Sequence, residues 1–142
     1  MHKAIIADDE KELRTYLRSL LSEVWPELTI CGEAANGKEA LALVETENPD
    51  IAFLDIRMPG LSGMQVAEKI AGACHLVFVT AYDEYAVEAF EREAVDYLLK
   101  PVSEERLLQT VARLKDRLAA KAAPAPEIAA LLEKLATMLP GG

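Results

Sequence analysis

Acidic side chains and one amine stand where strand-like runs give out. Asp8-Asp9 follows Lys3–Ala7, Asp55 follows Ile51–Leu54, and Lys100 follows Tyr97–Leu99. Thr80 closes a further run, His75–Thr80. Carboxylates meeting in one pocket repel one another and raise at least one pKa unless a cation neutralises them. Mg²⁺ is the natural cation for carboxylate, carbonyl and water oxygens. Such a set suits phosphoryl transfer: one carboxylate is the nucleophile, the metal clamps phosphoryl oxygens, and Lys100 and Thr80 supply donors. Asp55 is the best nucleophile, because a central strand would deliver it between the acid pair and Lys100. Each residue has a plainer reading as a helix cap, turn former, strand filler or solvated loop lysine. Four furnished strand ends in one topological order are hard to ascribe to coincidence.

The elements that must position them follow a regular beat. Five β-prone runs, Lys3–Ala7, Leu28–Glu33, Ile51–Leu54, His75–Thr80 and Tyr97–Leu99, start roughly 20 to 25 residues apart, with helix-like stretches between. That rhythm predicts an α/β fold with a doubly wound parallel sheet covered on both faces. In such sheets ligands collect at the carboxyl ends of the strands. The second run ends in Ala34-Ala35-Asn36, which offers little chemistry, so it suits the edge of a 2-1-3-4-5 order. The first helix carries Leu13, Tyr16, Leu17, Leu20, Leu21 and Val24 as one apolar stripe and stops at Pro26, with Trp25 partly buried at its end. The second is expected over about Lys38–Glu47, after Asn36-Gly37. The third begins after Ser62-Gly63, turns Met64, Ala67 and Ile70 inward, and ends near Gly72. The fourth, about Glu84–Glu93, offers only Ala86, Val87, Ala89 and Phe90 as cover and should be loosely held. The fifth starts at Ser103 with Leu107, Leu108, Val111, Leu114 and Leu118 as its stripe.

Composition bounds the rest. The chain has 142 residues, 51% apolar and 27% charged, which is one domain's worth of globular sequence. Residues 1–118 form the expected domain. Residues 119–142 read as a linker, stiffened by Pro124 and Pro126 and carrying a short amphipathic helix over 127–139, with Ile128, Leu131, Leu132, Leu135 and Leu139 on one face. Fifteen basic against 24 acidic residues leave a net charge of −9. Such a segment is repelled by phosphate backbones and anionic lipid, so no direct nucleic-acid or membrane contact is expected. No apolar run approaches the roughly 20 residues of a membrane helix. Cys31 and Cys74 lack any metal-binding company and read as reduced, in a cytoplasmic protein.

Four segments together resemble one family, the receiver domain of two-component response regulators. They are Ile6-Ala7-Asp8-Asp9-Glu10, Phe53 through Asp55-Ile56-Arg57-Met58-Pro59-Gly60 to Gly63, Thr80-Ala81, and Tyr97-Leu98-Leu99-Lys100-Pro101. The resemblance covers about residues 3–118 and implies the flavodoxin-like fold. By position it implies Asp55 as phosphoacceptor, Asp9 as the direct Mg²⁺ ligand, Asp8 as the ligand through water, and the Arg57 backbone carbonyl as a further ligand, with Mn²⁺ able to substitute. It implies Lys100 as the phosphoryl-contacting lysine, Thr80 as the switch hydroxyl, Tyr97 as the aromatic that turns inward with it, and a cis bond before Pro101. The partner would be a sensor histidine kinase, with a homodimer forming on phosphorylation through the fourth helix, fifth strand and fifth helix.

The run Thr80-Ala81-Tyr82-Asp83-Glu84-Tyr85-Ala86-Val87-Glu88-Ala89-Phe90, with Ala94 to Val102, looks like receivers attached to LytTR-type DNA-binding output domains. DNA contact and control of transcription would then belong to an output domain absent from these residues. Arg57 and Tyr82, two past the acceptor and two past the switch threonine, would tune phosphoryl lifetime by hindering water, giving slow self-hydrolysis. Rival readings differ at named residues. An aspartyl-phosphate phosphatase would need a second acid where Arg57 stands. A flavin-phosphate binder would need hydroxyls and glycine in place of Asp8-Asp9-Glu10. A pseudo-receiver, acting only as an interaction module, would have lost Asp55 or Lys100.

Overall fold

The apolar runs become the inner strands of one sheet, because a strand buried on both faces has no room for polar side chains. A computed structural model describes residues 2–70, 72–91 and 93–122. The described elements are β1 (Lys3–Ala7), α1 (Lys11–Val24), β2 (Thr29–Ala34), α2 (Gly37–Glu47), β3 (Ile51–Leu54), α3 (Gly63–Lys69), β4 (His75–Thr80), α4 (Ala86–Glu91), β5 (Asp96–Leu99) and α5 (Glu104–Ala122). The sheet has five strands in the order β2-β1-β3-β4-β5, all pairs parallel. The expected fold class and strand order are both met. The expected helix over 127–139, with the linker prolines, lies outside the described residues.

Strand alternation divides the core in two. Ile5, Ala7, Ala52, Leu54 and Phe78 face α2 and α3, together with Met58, Met64 and Ala89. Ala4, Ile6, Phe53, Val77 and Val79 face α1 and α5. β3 is buried along its whole length, so the residue after it emerges at the middle of the sheet.

The helix ends are set by local chemistry. The Asn36 side chain caps α2 by accepting from the Glu39 N–H at 2.9 Å, and Asn48 ends it with a left-handed φ of 48°. Ser62 and Gln65 form a reciprocal capping box on α3.

Several expectations need correction. Trp25, expected to be partly buried, is only 4% exposed, because its ring packs into the core on the α1 and α5 side, with the Lys115 ammonium 5.4 Å from its centre. Tyr16 sits in the predicted stripe yet is 45% exposed: its ring lies along the surface and its hydroxyl donates to the Val102 carbonyl at 2.8 Å. Leu108 is not part of the buried stripe of α5. Leu107, Val111, Leu114 and Leu118 hold that face, and Leu108, one residue or about 100° round the helix, is exposed. α4 is shorter than expected at six residues, with Val87 out in solvent and Ala89 buried. α5 continues past Leu118 to Ala122.

Candidate functional site

The loops after β1, β3, β4 and β5 meet at one end of the sheet. The Asp8 N–H donates to the Ala34 carbonyl and the Asp55 N–H to the Ala7 carbonyl, both at 2.9 Å. These bonds carry the sheet pairing one residue beyond the strands and fix both backbones. The Lys100 N–H donates to the Thr80 carbonyl at 2.9 Å and fixes the fifth strand's end in the same way.

Their side chains converge. The Lys100 ammonium lies 2.7 Å from Asp8 Oδ2 and 2.9 Å from Asp55 Oδ2. All three side chains are nearly out of solvent. Burial pulls the Lys100 ammonium towards neutrality, but its bonds to Asp8 and Asp55 outweigh that and hold its pKa above the usual lysine value. Asp55 Oδ1, by contrast, is buried with no hydrogen-bond partner. An orphaned carboxylate oxygen is costly.

Behind Asp55 the chain packs without spare room. A side-chain carbon at Gly63 would stand 2.1 Å from the Asp55 carbonyl oxygen, so only glycine permits α3 to start there. The Gly63 N–H donates to the Ile56 carbonyl at 2.7 Å and closes the loop that carries the acid.

On the first loop, carboxylate oxygens of Asp8, Asp9 and Glu10 lie within 4.8 Å of one another, Asp8 buried and the other two exposed. Asp8 Oδ1 accepts from the Glu10 N–H at 2.9 Å, and Arg14 donates to the Asp8 carbonyl at 2.7 Å. The donor set is all hard oxygen, so it fits Mg²⁺. Asp55 is not a member of that close group and is joined to Asp8 through the shared Lys100 ammonium. Glu10 was not among the expected ligands.

Thr80 is fully buried, and its hydroxyl oxygen accepts from the Tyr82 N–H at 3.4 Å. The Tyr97 hydroxyl donates to the Tyr82 carbonyl, and its ring lies 6.2 Å from that of Phe78. The bond before Pro101 is cis, as the resemblance implied. Arg57 does not stand alone. Its guanidinium lies over the Tyr82 ring at 4.0 Å and donates to Glu84 Oε1 at 3.2 Å and the Tyr85 hydroxyl at 3.3 Å.

Sequence reasoning missed Glu84 and Tyr85, since nothing in their spacing shows that the β4–α4 loop folds over Arg57. It also missed Asp96, whose carboxylate takes Arg106 at 2.6 Å, Arg113 at 2.9 Å and the Thr110 hydroxyl at 2.7 Å. Burial alone would raise this carboxyl, but bonds from Arg106 and Thr110 outweigh it and hold its pKa below the ordinary range.

A parallel sheet of this order, with buried carboxylates and a lysine joined at its carboxyl ends, defines the receiver class of signalling domains. The family described as response regulator receiver domain matches residues 4–112, and the chain belongs to it. An uncharacterised response regulatory protein of Vibrio cholerae is 46% identical over 136 residues, covering 94% of this chain and 52% of that protein. The sensory transduction protein LytT of Oceanobacillus iheyensis is 40% identical over 136 residues, covering 92% of this chain and 55% of that protein. The chain thus spans about half the length of these relatives. The response regulatory domain of protein mrkE from Klebsiella pneumoniae superposes with a TM-score of 0.76 at 36% identity, over 81% of this chain and 96% of that one. The chain is therefore a receiver domain of a two-component response regulator, a regulatory domain. Among the described residues no helix is long and apolar enough to cross a membrane.

Proposed function

We propose that the domain accepts a phosphoryl group on Asp55 from a sensor histidine kinase or a small acyl phosphate. The observation that carries this is the asymmetry of one carboxylate: Oδ2 is held by Lys100 while Oδ1 is buried and unbonded. Oδ1 would attack phosphorus, forming an acyl phosphate as the bond from phosphorus to the donor's nitrogen or oxygen breaks. Asp8, Asp9 and Asp55, with the Arg57 carbonyl, would hold Mg²⁺ or Mn²⁺, which when bound neutralises charge on the phosphoryl oxygens. Lys100 turns its ammonium from the carboxylates to a phosphoryl oxygen. Thr80, whose oxygen accepts from Tyr82, keeps its hydroxyl proton for the same group.

Mass spectrometry after incubation with acetyl phosphate and Mg²⁺ tests this. One phosphate should be added to the wild type and none to Asp55→Asn. Labelling of that variant to the wild-type level would end the reading.

Phosphorylation adds about two negative charges and new acceptor oxygens. Drawing Thr80 towards them loosens its tie to Tyr82 and shifts the equilibrium of Tyr97 and the surface of α4, β5 and α5. Among the described residues, large apolar side chains stand exposed on those elements: Val87 at 73%, Leu99 at 48% and Leu108 at 48%. They support pairing of this face with a second copy. The bulk of Arg57 and Tyr82 supports slow hydrolysis of the acyl phosphate. A half-life of seconds would sink that part. In a longer, cytoplasmic protein the domain would govern a LytTR-type DNA-binding output, as the likeness to LytT suggests. With its net charge of −9 it would leave DNA contact to that output.

A further inference from the structure

Tyr82 is a junction. Its ring lies under the Arg57 guanidinium, its N–H reaches the Thr80 hydroxyl oxygen, and its carbonyl takes the Tyr97 hydroxyl. The two side chains expected to move on phosphorylation therefore share one short stretch of backbone. That backbone is tied to the acceptor loop through the Tyr82 ring, which Arg57 covers.

The tether is itself held in place. Arg57 donates to Glu84 Oε1 and to the Tyr85 hydroxyl, and its guanidinium carbon is 5.9 Å from the Tyr85 ring centroid. Arg57 and Glu84 are both more than half exposed, so their ion pair alone is a weak restraint. A planar guanidinium that stacks on one ring while spending its N–H groups on two neighbours is a better one. Tyr82, Glu84 and Tyr85 all belong to the loop and turn before α4, a six-residue helix that leaves Val87 exposed. Arg57 thereby links three residues of this loop to the segment that carries Asp55.

We propose that Arg57 is a positioning residue: by clamping the Tyr82 ring it sets the backbone unit that both Thr80 and Tyr97 bond to. The acceptor loop thereby fixes the resting position of the switch before any phosphate arrives. Hindrance of water by bulk would need only size at positions 57 and 82. This role needs a stacked cation and an aromatic face. Its meaning for signalling rests on the phosphoacceptor reading, but the clamp is measurable in the chain without phosphate.

The experiment is hydrogen exchange on residues 82–86, with the Tyr97 ring followed by NMR, in the absence of any phosphodonor. Arg57→Ala should speed exchange there at least tenfold and shift the Tyr97 ring signal, while amides of α1 and β3 stay as in the wild type. Tyr82→Ala should do the same, and the double variant should add little to either. Tyr82→Phe, which keeps the face, should stay within twofold of the wild type. The proposal is overturned if Arg57→Ala changes exchange at 82–86 by less than twofold, if Tyr97 does not respond, or if exchange rises equally across the sheet. Acetyl phosphate labelling of Asp55 in the same variants is read separately, so failure of the clamp is not confused with failure of the acceptor.

Discussion

At the scale of single residues, two positions carry constraints that side-chain chemistry explains. Gly63 must lack a Cβ, because the Asp55 carbonyl occupies that space. Gly63→Ala should lower stability by about 3 kcal/mol in urea unfolding, since backbone on both sides leaves nowhere to relax. A loss under about 1 kcal/mol would show that the loop can shift. Asp96 is a buried carboxylate paired with two arginines and hydrogen-bonded by the Thr110 hydroxyl. Its folded pKa lies below its unfolded one, so its stabilisation is fully present above about pH 4 and is lost as pH falls through the folded value. Asp96→Asn should therefore cost about 2 kcal/mol at neutral pH. The gap to the wild type should begin to narrow once the pH falls below about 4, as measured by thermal unfolding from neutral pH downward.

At the scale of elements, α4 contrasts with α1 and α5. α5 buries Leu107, Val111, Leu114 and Leu118 along 19 residues, whereas α4 has six residues and a largely exposed Val87. Local opening is cheapest where few apolar contacts must be broken. Amides of α4 should exchange at least tenfold faster than those at the centre of α5, and equal protection would contradict this. The sequence showed that the fourth helix was polar, though not how short it is. Its expected span from Glu84 to Glu93 ran too far at both ends. Glu84 and Tyr85 are instead spent on Arg57, a long-range contact that no local pattern records.

At the scale of the molecule, the question is what phosphorylation would do to the face built by α4, β5 and α5. Val87, Leu99 and Leu108 leave apolar area there that a second copy could cover. Sedimentation at high protein concentration should show the monomer converting to a dimer when beryllofluoride and Mg²⁺ are added. An unchanged mass would count against the face as a dimer surface. Replacing Leu108 with Glu should block the conversion with little loss of fold stability, because that side chain packs on no core.

The strand count, their parallel order and the acid, hydroxyl and amine at the strand ends were legible in the chain. Period-two and period-3.6 apolar patterns are local, and strand ends of a doubly wound sheet must point the same way. Tertiary structure alone decided the pairings. That Lys100 holds Asp8 and Asp55 together, that Asp55 keeps one oxygen free, and that Arg57 reaches the loop before α4 depend on segments 27 to 92 residues apart in the sequence meeting in space. Leu108 and Tyr16 make the same point on the surface: periodicity marks a helix face as apolar, but which edge of it stays wet is set by the width of the neighbour that covers it.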